Sequence, residues 1–243
     1  MKVICIIPAR YASTRLPGKP LKMIGKKTMI QWVYERAAAA KLPSEVIVAT
    51  DDERVYQAVE EFGGKVVMTS QSHCSGTDRL AEVAKGRPDV DVVINVQGDE
   101  PMLPSEIIDR LAQLFSEDNA LQMATMKCPM KKEEYSEPGS VKVVTDKNGY
   151  ALYFSRSLLP YPRNDKDFKV YKHVGIYAYR RDFLLKYAAI EPTALELTES
   201  LEQLRALENG YKIKVLESDF QGVGVDTPED LEKVRRLLEN ENS

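Results

Sequence analysis

The sequence predicts an α/β fold with a mostly parallel central sheet flanked by helices, and three observations carry that expectation. Short runs in which every residue is apolar (Val3 to Ile7, Val46 to Ala49, Val66 to Met68) alternate with amphipathic segments of helical period. A strand that is apolar on both faces must be covered on both, as in a parallel sheet between helix layers. The order is strand, loop, helix, strand, helix, strand, and 243 residues suffice for one such domain with a small appendage.

The first run breaks at Pro8 into a loop carrying Arg10, Ser13, Thr14, Arg15 and Lys19, in which Pro17-Gly18 and Pro20 exclude regular helix. Thr28 caps a helix to about Lys41, with Met29, Ile30, Val33 and Ala37 at helical spacing. After the strand at Val46, Asp51 is expected to cap a helix through Val55, Val59 and Phe62 that stops at Gly63-Gly64. Ser75-Gly76-Thr77-Asp78-Arg79 then opens a short amphipathic helix through Leu80 and Val83. Asp91 to Val96 is the fourth strand and runs straight into Gln97-Gly98-Asp99-Glu100-Pro101. Pro104 opens a helix to about Phe115, and Met123 to Met126 is a further strand.

From Lys127 the texture changes. Val141 to Thr145 and Ala151 to Phe154 flank the turn Asp146-Lys147-Asn148-Gly149 as a hairpin, and Val170 to Tyr179 is a longer extended run. The stretch at about 127–190 reads as an antiparallel insertion within a single domain spanning 1–243. Thr198 to Asn209 is expected as one helix stopped by Gly210, and Ile213 to Leu216 as a strand. Thr227-Pro228-Glu229-Asp230 opens the last helix by capping and a proline at its first position.

Charge narrows the function. Residues 1–34 hold seven Lys or Arg and no Asp or Glu; with the whole chain at −3, the remainder carries −10. A local positive field on an acidic chain, pI near 5.6, points to a small anionic ligand and away from nucleic acid. Three widely spaced cysteines (Cys5, Cys74, Cys128) form no C-x-x-C pair, so neither a disulfide framework nor a zinc site is indicated. The five-residue apolar run before Pro8 is too short for a signal peptide, and nothing approaches a membrane span, so a soluble cytoplasmic protein without a membrane partner is expected. Neither G-x-x-x-x-G-K-[ST] nor G-x-G-x-x-G occurs, and two histidines, His73 and His173, assemble no metal site or hydrolase triad.

Within this frame the basic, hydroxyl-rich loop suits a polyphosphate, although a solvated turn would look the same in isolation. Asp99 ends a buried parallel strand, the edge where open α/β sheets bind ligands, and Gly98 leaves room for a phosphate beside it. Asp99 therefore reads as a Mg²⁺ ligand or as a turn and cap residue. Asp226, after Gly222-Val223-Gly224-Val225, is its candidate partner, with the same alternative. Ser75, Gly76 and Arg79 sit at a helix start whose amides suit an anion or which is an ordinary cap, and Arg156 follows an aromatic strand and suits a carboxylate or solvent.

These residues together resemble a known family. Ile7-Pro8-Ala9-Arg10 through Ser13-Thr14-Arg15-Leu16-Pro17-Gly18-Lys19-Pro20-Leu21 is similar to the signature loop of the cytidylyltransferases that activate acidic sugars, most closely their 3-deoxy-manno-octulosonate (Kdo) branch. Asn95-Val96-Gln97-Gly98-Asp99-Glu100-Pro101, Tyr153-Phe154-Ser155-Arg156, His173-Val174-Gly175-Ile176-Tyr177, Leu201-Glu202-Gln203-Leu204-Arg205 and Gly224-Val225-Asp226-Thr227-Pro228 extend the likeness to the last helix. The resemblance implies a Rossmann-like nucleotide-diphospho-sugar transferase fold whose insertion serves sugar binding and dimerisation. It implies transfer of CMP from CTP to the anomeric hydroxyl of Kdo, with release of pyrophosphate, for lipopolysaccharide biosynthesis. Arg10, Ser13, Arg15 and Lys19 would hold the triphosphate, and Ser75, Gly76, Arg79 and Gln97 the base and ribose. Asp99 and Asp226 would bind Mg²⁺ and act in catalysis with Lys19. Gln97, Arg156, His173, Tyr177 and Glu202 would line the sugar pocket, its cations favouring the sugar carboxylate. A homodimer is implied too. The alternatives are a cytidylyltransferase for sialic acid or an 8-amino sugar, and a non-catalytic nucleotide-binding protein.

Overall fold

The first apolar run becomes a central strand, β1 (Val3–Ala9), two residues longer than its apolar stretch suggests. A computed structural model describes residues 1–13, 15–73, 75–164 and 168–241, so Thr14 and Cys74 lie outside the described residues. Pro8 is tolerated inside β1 because pairing with the strand on one side has already ended: its carbonyl faces Gly98 instead.

The elements follow in order. After β1 come β2 (Met23–Ile24) and β3 (Lys27–Thr28), α1 (Met29–Ala38), β4 (Glu45–Thr50), α2 (Glu53–Glu61), β5 (Val66–Met68) and α3 (Gly76–Lys85). Next are β6 (Val92–Asn95), α4 (Ser105–Glu117), β7 (Met123–Pro129), β8 (Lys142–Thr145), β9 (Ala151–Ser155), β10 (Tyr171–Arg180) and α5 (Arg181–Ala188). The chain closes with α6 (Ala194–Glu199), α7 (Gln203–Glu208), β11 (Ile213–Glu217) and α8 (Pro228–Glu241). Thr28 caps α1 by accepting from Gln31 N, as its position predicts. The cap of α2 is Asp52 rather than Asp51, which accepts from Arg79 instead.

The main sheet runs β11-β7-β10-β6-β1-β4-β5, with the β8–β9 hairpin attached to β10. Pairs β1–β4, β1–β6, β4–β5 and β11–β7 are parallel; β10 is antiparallel to both β6 and β7. The antiparallel portion of the sequence is therefore woven into the sheet through β10, with only its hairpin standing outside. Alternation along β1 feeds two apolar layers. Val3, Cys5 and Ile7 pack with α1, α2 and α4, while Ile4 and Ile6 pack with α3, α5 and α7. A third, smaller cluster joins Leu16 of the first loop, Ile24 and Met29 to Val225 and to Leu231, Val234 and Leu238 of α8. That cluster fastens the basic loop to the loop before α8.

The expected helix over Thr198 to Asn209 is two helices instead. Ser200 takes a left-handed conformation (φ 51°) between α6 and α7, and the break is clamped by Arg205 reaching back to Glu196 at 2.5 and 2.7 Å. Among the described residues no helix is long and apolar enough to cross a membrane.

Candidate active site

The basic loop leaves the C-terminal edge of β1 and folds back on itself. Gly18 sits at φ +67°, a backbone setting that glycine adopts without strain, and its N–H donates to Tyr11 O at 3.2 Å. Ser13 Oγ accepts from Leu16 N, and a single turn at Lys19–Leu21 follows with Pro20 buried. Arg10 is steered by its bond to the His73 carbonyl (2.5 Å). The outcome is a cavity of about 440 Å³ whose wall carries Arg10, Ser13, Arg15 and Lys19 on one side and Gly98 and Asp99 on the other. A side chain at position 98 would place its Cβ 3.0 Å from Pro8 O, so the strand-end loop passes this close only as glycine.

Two carboxylates remote in sequence meet here. Lys19 Nζ lies 2.6 Å from Asp99 Oδ2 and 3.1 Å from Asp226 Oδ1, and Arg15 holds the other oxygen of Asp226 at 3.0 Å. The two carrying loops are joined by a backbone bond, Val225 N to Asp99 O at 2.9 Å. Burial works against charge on Lys19, but Asp99 and Asp226 outweigh it and raise its pKa above the ordinary lysine value. Asp99 and Asp226 also line a second cavity, of about 450 Å³, so the pair stands at the seam between the two. Among the described residues no group of three or more metal-ligating side chains forms. Two carboxylates closing on one cation are nonetheless a fitting protein share for magnesium, which completes its shell with phosphate oxygens and water.

The second cavity is walled by Lys172, His173, Tyr177, Gln203 and Glu100. A third space of about 210 Å³ lies beyond Gln97 and Tyr177, and three of its lining side chains carry a buried polar atom with no partner: Asn95 Oδ1, Glu202 Oε1 and Gln203 Nε2. The side chains around this space are thus polar and incompletely paired, a lining suited to hydroxyl groups.

A family model for the cytidylyltransferases matches residues 4–213. The chain belongs to the cytidylyltransferase family. A Fusobacterium nucleatum protein named 3-deoxy-manno-octulosonate cytidylyltransferase is 54% identical over 243 residues, spanning 100% of this chain and 99% of its own. A Geotalea uraniireducens protein of the same name is 56% identical over 250 residues, with 98% and 99% covered. A solved structure described as CMP:2-keto-3-deoxy-manno-octonic acid synthetase complexed with CTP superposes with TM-score 0.96 at 50% identity, covering 99% of this chain and 100% of that one. The Anaerococcus prevotii 4-diphosphocytidyl-2C-methyl-D-erythritol synthase, at 16% identity and TM-score 0.67 over 98% and 96%, shares the fold.

Within this cytidylyltransferase, Arg10, Ser13, Arg15, Lys19, Gly76, Gln97, Asp99 and Asp226 all line the basic cavity. Gln97 borders all three spaces, Tyr177 the second and third, His173 the second, and Glu202 the third. Three of the expected contact residues do not line these three spaces. Ser75 is the N-cap of α3 in a capping box with Asp78, its Oγ accepting from Asp78 N at 3.1 Å. Arg79 is fully buried, bonded to Asp51 (2.7 Å) and Thr69, and fastens α3 to the ends of β4 and β5. Arg156 donates to the carbonyls of Glu199, Pro138 and Ser200, so it ties β9 to α6 rather than facing the second cavity.

The expectation of cationic sugar contacts also changes. Burial pushes the His173 pKa down to about 3, so the ring is neutral. Thr125 Oγ1 donates to Ile176 O (2.7 Å), and His173 Nε2 lies 2.9 Å from Thr125 Oγ1; with that hydroxyl proton already committed, Nε2–H is the donor. The cation on this wall is Lys172. Lys172, Asn95, Glu100 and Gln203 were missed by sequence reasoning. Glu100, Lys172 and Gln203 are immediate neighbours of Asp99, His173 and Glu202, which was a usable signal.

Proposed function

We propose that the chain transfers CMP from CTP to the anomeric hydroxyl of 3-deoxy-D-manno-octulosonate, releasing pyrophosphate. The observation that carries this reading is the seam: Asp99 and Asp226 converge on Lys19 where a basic cavity meets a second, polar one. A triphosphate held by Arg10, Ser13, Arg15 and Lys19 would present its α-phosphorus at that seam. The sugar, in the second cavity with its polyol tail toward Asn95, Glu202 and Gln203, would present its anomeric oxygen to the same point. That oxygen attacks phosphorus in line, the bond to the β-phosphate oxygen breaks, and the hydroxyl proton is released. The side chains act by positioning and charge neutralisation, with no covalent nucleophile. Mg²⁺ on Asp99 and Asp226 would supply further neutralisation of the phosphate oxygens.

Pyrophosphate release measured with CTP and Mg²⁺ tests the reading. It should require Kdo, should fall when a sialic acid or an 8-amino sugar replaces it, and should vanish with glucose 1-phosphate. Release that is indifferent to the sugar overturns it. The proposed setting is lipopolysaccharide biosynthesis in the cytoplasm. A homodimer is proposed as well, with β9 bonded on one side only and Leu152, Leu195 and Leu197 among the exposed large apolar side chains; light scattering at two protein concentrations tests it.

A further inference from the structure

We propose that Lys19 is an internal counter-ion standing between Asp99 and Asp226, which must be withdrawn onto the nucleotide phosphates before a divalent cation can settle on that carboxylate pair. The inference rests on the cytidylyl-transfer reading only for the identity of the phosphates. Its core is the geometry: Nζ bridges one oxygen of each carboxylate at 2.6 and 3.1 Å, while Arg15 occupies the second oxygen of Asp226 at 3.0 Å. Two positive side chains thus balance two negative ones, leaving little net field to attract a free dication. A cation arriving alone would have to break the Lys19 pairs and leave the ammonium without partners, which a part-buried charge resists.

Phosphates remove that obstacle. Lys19 and Arg15 line the same cavity as Arg10 and Ser13, so a triphosphate there offers both cations new acceptors along the same wall. Lys19 has the means to move. Its four-carbon stem rises from a single turn directly after Gly18, and Arg15 is largely solvent-exposed. Each phosphate that draws Lys19 away also brings ligand oxygens for the metal. Metal and nucleotide binding are therefore coupled through one side chain, and by linkage the coupling is reciprocal.

The test is metal binding by the full chain without nucleotide, read from the loss of the free Mn²⁺ electron-spin resonance signal. Lys19→Met should bind Mn²⁺ about tenfold tighter than the parent, since the entering ion no longer displaces a part-buried pair. Lys19→Arg, which keeps the charge, should stay near the parent value. Adding Asp99→Asn to Lys19→Met should remove the gain. Circular dichroism and the melting temperature of each variant establish that it is folded, and Lys19→Gln substitutes if the Met variant is not. Equal Mn²⁺ affinity in folded parent and Lys19→Met overturns the proposal, as does a gain that survives Asp99→Asn. Because no CTP or sugar is present, failure here is separate from failure of the assigned reaction, which pyrophosphate release measures.

Discussion

Lys19 is bonded to carboxylates 80 and 207 residues further along the chain, and this single ammonium shows how the site is made residue by residue. Each participant has a local reason for its position: Asp99 ends a buried strand behind Gly98, and Asp226 precedes the capped start of α8. Those reasons were legible in the sequence, because strand ends, glycines and caps are written in neighbouring residues. Their meeting was implied only by the family resemblance, since no local pattern reports on a separation of 207 residues. Burial was hidden too, so Arg79 was expected at the nucleotide and His173 as a cation. Asp99→Asn removes charge without volume and should lower kcat by about 10²–10³-fold with the fold intact, a loss typical of one missing electrostatic group. An Asp99→Asn protein that fails to give the parent's circular dichroism spectrum would make the residue structural. Arg15→Ala should raise the KM for CTP about tenfold, roughly the loss of one charge-assisted contact, and leave that for the sugar nearly unchanged. Initial rates with each substrate varied in turn read the split, and the reverse pattern breaks the assignment of the loop to phosphate.

Among the elements, the pair α6–α7 joins stability to specificity. Arg205 and Glu196, both under 9% exposed, form a two-bond ion pair across the break at Ser200, and α7 begins at Gln203, just after Glu202. Arg205→Met strands the Glu196 carboxylate and should cost about 3 kcal/mol in urea unfolding, while Glu196→Leu with Arg205→Met should recover most of it. Because these helices hold Glu202 and Gln203 in the third cavity, the single variant should also raise the KM for the sugar more than that for CTP; equal rises would separate the clamp from the pocket. Strands and helices with strong periodicity, β1, β4, β5 and α8, were readable within a residue or two, and α1 ends three residues before its expected limit near Lys41. The break was not, because Thr198 to Asn209 keeps helical spacing through Ser200 and only the packing of Arg205 on Glu196 rewards the kink. α5 was missed because it follows β10 without a turn signal. The two-residue strands β2 and β3 carry too little pattern to announce themselves.

For the whole molecule, the arrangement that sequence could least disclose is that β10 lies antiparallel in the middle of an otherwise parallel sheet, between β7 and β6. Its consequence is that His173, on β10, and Glu100, after β6, become walls of one cavity, where desolvation favours the neutral form of each. Burial holds His173 at a pKa of about 3, against 6.5 for an ordinary histidine, so the unfolded chain binds a proton the folded one refuses between those values. His173 thus contributes stability that is present above pH 6.5 and is lost as pH falls toward 3. Burial, and then the neighbouring Asp99, push the Glu100 carboxyl from 4.5 up to about 8. The folded chain here keeps a proton that the unfolded chain releases, so this contribution is full below pH 4.5 and is lost as pH rises through 8. Between 4.5 and 6.5 the two slopes oppose and nearly cancel. From pH 6.5 to 8 only that of Glu100 remains, at roughly 1.4 kcal/mol per pH unit, so about 2 kcal/mol should disappear. Urea midpoints measured from pH 4.5 to 8.5 with chelator present should therefore be level and then decline. Glu100→Gln should abolish the decline, and His173→Gln should make it begin near pH 4.5. A decline that is unchanged in Glu100→Gln would show that another group carries it.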